Sequence, residues 1–192
     1  MTTANKITLI RLALVPVFIV LLWSYGNGGK ELLRWLALTI FIIAIFTDCL
    51  DGYVAARFGQ RTQLGAMLDP IADKLLLVLG LVILSQNNRP YLEPIPSWLI
   101  GVVFGRDVVL LIGMITMYYN GEKMVKVVPH LLGKISTVLQ MTTIAITLLK
   151  VPATLVFWSA LGAMVTTALS GIIYMAEGLR RLNPPQQNPD GG

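Results

Sequence analysis

Apolar residues fill this chain in six long stretches, and short polar breaks separate them. A bilayer core about 30 Å thick takes roughly 20 apolar residues per helix. On that ruler the pattern predicts helices at Ile7–Tyr25, Leu32–Arg57, Leu64–Ser85, Ser97–Tyr119, Leu131–Leu149 and Ala153–Leu179. The breaks carry turn-forming residues: Gly26 to Gly29, Asn87 to Pro96, Asn120 to Pro129, and Pro152. The expected fold is therefore an all-α integral membrane protein with six transmembrane helices, forming one domain over residues 1–182. Residues 183–192, rich in Pro, Gln and Gly, are expected to be a disordered tail.

Composition agrees with the bilayer as solvent. Of 192 residues 55% are hydrophobic and 13% charged, against roughly 25% charged in soluble domains. The first apolar stretch is too long for a signal-peptide core and lacks a small-x-small cleavage site, so it is read as a true span. With the N-terminus inside, eight loop cations (Lys6, Arg57, Arg61, Lys123, Lys126, Lys134, Arg180, Arg181) face the cytoplasm. Four (Lys30, Arg34, Arg89, Lys150) face outward. Both termini and the second-to-third loop are thus expected on the cytoplasmic side. The net charge of +5 suits anionic lipid headgroups. No basic-aromatic pattern points to nucleic acid. Cys49 is the single cysteine, which excludes an intrachain disulfide.

Chemistry is concentrated in four of the ten acidic residues, Asp48, Asp51, Asp69 and Asp73. The first pair is spaced i,i+3 and the second i,i+4, so each pair shares one helical face. A short loop joins the two helices, which are expected to be antiparallel neighbours with all four carboxylates at one depth. One Asp at a helix centre costs about 2.5–3.5 kcal/mol to insert, and clustered carboxylates repel. Arg57, Arg61 and Lys74 offset part of this. Bound Mg²⁺ or Mn²⁺ explains the cluster better, and two such ions can share bridging carboxylates. A salt-bridge network or a divalent cation carrier are the competing readings. Gly52, Ala55 and Gly65 lie on the carboxylate-bearing turns, where small residues let a planar ligand approach the backbone.

The run Asp48-x-x-Asp51-Gly52-x-x-Ala55, continued by Gly65-x-x-x-Asp69-x-x-x-Asp73, resembles the signature of the CDP-alcohol phosphotransferases. One position departs: where the family pattern has arginine after the alanine, this chain has Ala56, with Arg57 next. A one-residue shift turns a side chain by about 100° on a helix. The resemblance implies transfer of a phosphatidyl group from CDP-diacylglycerol to an alcohol, with release of CMP. It implies Asp48, Asp51 and Asp69 as metal ligands, and Asp73 as a ligand and the base for the acceptor hydroxyl. Asp48, Gly52, Ala55, Gly65 and Asp69 would bind the nucleotide. It also implies a homodimer, and with no targeting sequence before the first span the expected home is a bacterial inner membrane.

Asn5-x-x-Thr8-x-x-Arg11 and Gly133-Lys134-x-x-Thr137-x-x-Gln140 resemble the phosphatidylglycerophosphate synthase and cardiolipin synthase branches. Acceptor-binding residues are accordingly expected at Arg11, Arg106, Lys134, Thr137 and Gln140. An Arg inside a span is costly and is functional or paired. Glycerol 3-phosphate is the first choice of acceptor and phosphatidylglycerol the alternative. The pair Arg106-Asp107 has no second arginine two turns on, where Met114 and Ile115 stand.

Overall fold

Among the described residues the computed structural model has six α-helices: α1 (Thr3–Gly28), α2 (Glu31–Phe58), α3 (Gln63–Leu84), α4 (Ser97–Tyr119), α5 (Leu131–Leu148) and α6 (Ala153–Leu182). Described are the backbone of residues 3–58, 63–86, 91–119 and 131–182, and the side chains of 10–47, 74–86, 91–112 and 131–176. The tail at 183–192 and the loop around Gly59 to Thr62 lie outside the described residues. Among the described residues three stretches, Ile10–Gly28, Leu131–Leu148 and Ala153–Ala176, are long and apolar enough to cross a membrane. Gly26 to Gly28, expected in a break, continue α1, which stops at Gly29 with φ +63. There the Gly29 amide donates to Tyr25 O at 2.8 Å. A methyl at Gly29 would lie 2.5 Å from the Tyr91 ring. Glycine is required at that cap for both reasons.

Helix α1 packs against α2 and α3, while α4 and α5 pack against α6; thinner contacts of α3 with α4 and α5, and of α2 with α5, join the two groups. Among the described residues α2 and α3 each make their broad contact with α1. The direct α2–α3 neighbour relation expected from the short loop would fall on residues 48–73, whose side chains lie outside the description. Val15, Phe18, Leu22 and Tyr25 recur on one face of α1 and are buried. Phe18 stacks on Phe41 of α2 at 5.5 Å. A methyl on Gly80 of α3 would lie 3.2 Å from Phe18 and 3.3 Å from Ile144, so glycine permits close approach of α1, α3 and α5. The outward faces are apolar too: Val17, Val20, Trp23, Phe46, Phe104, Leu111, Val138 and Ile172 are exposed. An apolar surface all round is what lipid requires and water does not.

Between α5 and α6 the contact is built from small and hydroxylated residues. Gly133, Ser136, Gln140, Thr143 and Thr147 fall on the buried stripe of α5, opposite Ala160, Ala163, Thr167 and Ser170. Gln140 Nε2 donates to Thr167 Oγ1 at 3.0 Å, and Thr143 and Ser159 share a hydrogen bond of 2.7 Å. Such cross-helix bonds are worth about 0.6–2 kcal/mol in membranes.

The turns after α1, α3 and α5 meet at one end of the bundle. Helix α5 closes in a Schellman motif, with Lys150 N–H donating to Thr147 O at 3.0 Å and Val151 N–H to Ile146 O at 3.1 Å. Lys150 takes φ 57, a left-handed conformation uncommon outside glycine. Its ammonium reaches Glu31 Oε1 at 2.5 Å and lies 5.9 Å from the Tyr25 ring. Arg34 donates through Nε to Glu31 Oε2 at 2.7 Å and through Nη1 to Leu148 O at 2.5 Å, one of the carbonyls a helix end leaves unpaired. Tyr25 OH donates to Tyr91 O at 3.4 Å, which brings in the third turn. Because α1, α3 and α5 all end here, α3 and α5 begin at the opposite end.

Replacing Arg34 by Ala strands the buried Leu148 carbonyl, and stability should fall by about 2–3 kcal/mol. Thermal unfolding in detergent measures this, and an unchanged midpoint would mean another donor reaches the carbonyl. The Glu31 carboxyl, held first by the Lys150 ammonium and then by Arg34, lies at about 2 instead of 4.5. A depressed carboxyl stabilises the fold fully above its unfolded value, so this contribution disappears as pH falls from about 4.5 toward 2. Glu31→Gln should flatten the pH–stability curve across that window, measured by urea unfolding at a series of pH values.

Candidate active site

Helix α2 runs away from the latched end, and α3 begins at the far end and returns. Asp48, Asp51, Gly52 and Ala55 therefore occupy the last turns of α2, and Gly65, Asp69 and Asp73 the first turns of α3. Their backbone is helical, so the i,i+3 and i,i+4 spacings do put each pair of Cα atoms on one helical face. The side chains of all seven lie outside the described residues. Two pairs of hard oxygen donors brought to the same end of the bundle make a donor set that suits a divalent cation. Among the described residues alone, no three His, Cys, Asp or Glu side chains cluster.

The described site begins one residue after Asp73. Lys74 Nζ lies 2.5 Å from Asp107 Oδ1, and Arg106 Nη1 lies 3.6 Å from that same oxygen. The first is a charge contact without hydrogen-bond alignment, since Asp107 Oδ1 has no hydrogen-bond partner. The Asp107 and Arg106 side chains are largely buried, at 18% and 13% exposure. Two cations share one carboxylate here, and Lys74 holds it more closely. Asp107 thus ties the motif helix α3 to α4, a link the sequence does not announce because the partners stand on different helices.

Arg106 crosses from α4 to the gap between α5 and α6. Its Cγ would lie 3.4 Å from a methyl placed on Gly171 of α6. Its guanidinium carbon stands 5.9 Å from the centre of the Tyr174 ring. A methyl placed on Gly133 of α5 would meet Arg106 Nη2 at 3.1 Å, Tyr174 OH at 3.3 Å and Ser170 Oγ at 3.5 Å. These two glycines let a wide, charged side chain lie against helix backbone.

The structure sorts the other expected acceptor residues. Arg11 is buried within the bundle at 1% exposure. Lys134 is exposed and follows Gly133 in α5. Thr137 is partly buried and donates to Gly133 O at 3.0 Å. Gln140 is turned into the α5–α6 contact, where Thr167 receives its amide. The single helical face expected for Lys134, Thr137 and Gln140 spans an arc from exposed to buried. Sequence reasoning passed over Ser170 and Tyr174. Their only signal is a recurrence of small or polar residues at Thr167, Ser170, Gly171 and Tyr174 along α6.

Comparison with known proteins adds to this geometry. Residues 1–169 match the profile described as CDP-alcohol phosphatidyltransferase. A Mycobacterium tuberculosis protein named "Probable phosphatidylglycerophosphate synthase" is 33% identical over 190 residues, covering 96% of this chain and 85% of its own length. A Bacillus subtilis protein named CDP-diacylglycerol–glycerol-3-phosphate 3-phosphatidyltransferase is 35% identical over 153 residues, covering 76% of this chain and 75% of its own. The Escherichia coli K12 protein of that name is 28% identical over 169 residues, covering 81% and 88%. With a family match across most of its length, carbonyl-capped helices closing one end and the aspartate motif at the other, the chain belongs to the CDP-alcohol phosphatidyltransferase family.

Proposed function

We propose that this membrane protein transfers the phosphatidyl group of CDP-diacylglycerol to glycerol 3-phosphate, giving phosphatidylglycerophosphate and CMP. The observation that carries the choice of acceptor is the buried Arg106. It stands near the motif helix, and among the described residues its charge is shared with Lys74 over the one carboxylate of Asp107, as a small phosphorylated alcohol would require. The names of the Bacillus subtilis and Escherichia coli relatives support the same acceptor.

In this reading Asp73 accepts the proton of the acceptor hydroxyl as its oxygen attacks the phosphorus that carries the diacylglycerol. The phosphorus–oxygen bond to CMP breaks, and CMP leaves with the bonding pair. Asp48, Asp51, Asp69 and Asp73 would hold divalent cation, Mg²⁺ or Mn²⁺ in two sites. Bound there, the metal would supply positive charge to the pyrophosphate and the departing CMP. Gly52, Ala55 and Gly65 would let the cytidine lie against helix backbone. Arg11 and Lys134 would add positive charge around the acceptor, with Thr137 and Gln140 setting the α5 wall behind them.

Six spans, both termini in the cytoplasm and a cytoplasmic active site complete the proposal, with a bacterial inner membrane as the setting. The soluble acceptor then enters from water and CMP departs into it, while the acyl chains stay in lipid. A homodimer, implied by the family resemblance, is checked by cross-linking in intact membranes.

Asp73→Asn should lower CMP release at least a hundredfold, the smaller end of what a general base contributes, while the unfolding temperature is kept. Turnover near the wild-type rate would remove Asp73 from that role. Asp69→Asn should raise the Mg²⁺ or Mn²⁺ concentration needed for half-maximal activity, and an unshifted metal titration would count against it as a ligand. Parallel assays with glycerol 3-phosphate and phosphatidylglycerol decide the acceptor; turnover with phosphatidylglycerol alone would convert the reading to cardiolipin synthesis.

A further inference from the structure

Hydroxyls inside these helices usually satisfy themselves against the preceding turn. Thr39 donates to Trp35 O, Thr142 to Val138 O, Thr147 to Thr143 O and Thr166 to Gly162 O. Ser170 breaks the habit. It is wholly buried, at 0% exposure. Among the described residues, its Oγ is the one buried hydroxyl with no hydrogen-bond partner. A buried polar group in that condition commonly marks a ligand, ion or water site. Arg106 Nε, also buried, has no partner either.

The two unpaired groups are close together. Arg106 Nη2, Tyr174 OH and Ser170 Oγ all fall within 3.5 Å of one point beside Gly133 Cα. All three can donate, and the described charges around them do not balance. Lys74 and Arg106 share the single carboxylate of Asp107, with Lys74 at 2.5 Å and Arg106 at 3.6 Å. An excess of cation over carboxylate among the described residues, with convergent donors, suits an oxyanion.

We propose that Ser170 and Tyr174 of α6, together with Arg106, form a binding subsite for one phosphate group, and that glycine at position 133 keeps it open. This rests on the phosphatidyl-transfer reading above and makes α6 the wall that fixes the acceptor. The chemistry recognised is a phosphate oxyanion, either the monoester of glycerol 3-phosphate or the diester of a lipid headgroup. The monoester fits the position better. In glycerol 3-phosphate only a three-carbon chain separates the reacting hydroxyl from the phosphate. Asp107 links Arg106 to Lys74, the residue that follows Asp73.

The test uses the full-length chain in mixed micelles, with Ser170→Ala, Tyr174→Phe and Gly133→Ala compared with wild type. Each hydroxyl deletion should raise the KM for glycerol 3-phosphate about tenfold or more, the loss expected for one hydrogen bond to a charged group. The KM for CDP-diacylglycerol and kcat should stay within about twofold. Removing the Ser170 hydroxyl, which has no hydrogen-bond partner, should not lower the unfolding temperature. Gly133→Ala is a second probe, because alanine favours the helix while its methyl displaces the guanidinium; it should show the same rise in KM in a protein at least as stable. Inorganic phosphate should compete with glycerol 3-phosphate, and its inhibition constant should rise in step.

An unchanged KM in both hydroxyl variants overturns the subsite. Equal losses for both substrates with a lower unfolding temperature overturn it as well, by making the residues structural. Selective loss with phosphatidylglycerol instead would keep the oxyanion subsite and assign it to a diester. If wild type turns over neither acceptor, the phosphatidyl-transfer reading fails on its own account. Phosphate-induced thermal stabilisation, present in wild type and absent from the double hydroxyl variant, then still decides the subsite, and its absence from wild type overturns it.

Discussion

The carboxylate of Glu31 is the interaction on which the ordering of this bundle depends. It receives Lys150 from the α5–α6 turn and Arg34 from its own helix, and Arg34 carries on to the Leu148 carbonyl. Tyr25 adds the α1 end and reaches the chain before α4 at Tyr91. Three turns far apart in sequence are thereby fixed against one another at one membrane face. Without water to satisfy helix ends in the hydrocarbon region, such termini must find protein partners or stay at the interface. This end does both.

With one end closed by mutual satisfaction, the other carries the helix ends that bear the four motif aspartates. One residue beyond Asp73 begins the cluster of Lys74, Asp107 and Arg106, in which Asp107 Oδ1 and Arg106 Nε have no hydrogen-bond partner. The asymmetry resembles that of many enzymes, where stability is concentrated away from the chemistry and the reactive end keeps polar groups in waiting. Glycines at 133 and 171 serve the second end by giving Arg106 room. Glycines at 29 and 80 serve the first end and the core.

Much of this was legible in the sequence. Apolar length alone located all six helices, and α4 matches its expected bounds, Ser97–Tyr119. The aspartate spacing and the family resemblance identified the motif, and its place at the ends of α2 and α3 followed from helix order. Contacts between helices were not legible. Nothing in a linear pattern says that Lys74 meets Asp107, or that α1 packs against both α2 and α3, because lipid-facing and partner-facing positions are equally apolar. Gln140 shows the same limit: its spacing from Lys134 matched an acceptor face, yet rotation of α5 turns it toward Thr167. The extension of α1 through Gly28 escaped the pattern because glycine weakens a helix without forbidding it.

The latch also sets an order of assembly. Glu31 and Arg34 emerge early from synthesis and pair with each other three residues apart. Their decisive partners, the Leu148 carbonyl and Lys150, are made only when the fifth helix is complete. The first four helices must therefore wait, held by apolar packing, until the last two arrive. A chain halted before residue 150 would keep its early helices and lack the clasp that binds them. Closure of that clasp marks a finished bundle, because only then does the Leu148 carbonyl meet Arg34 and Glu31 gain its second cation.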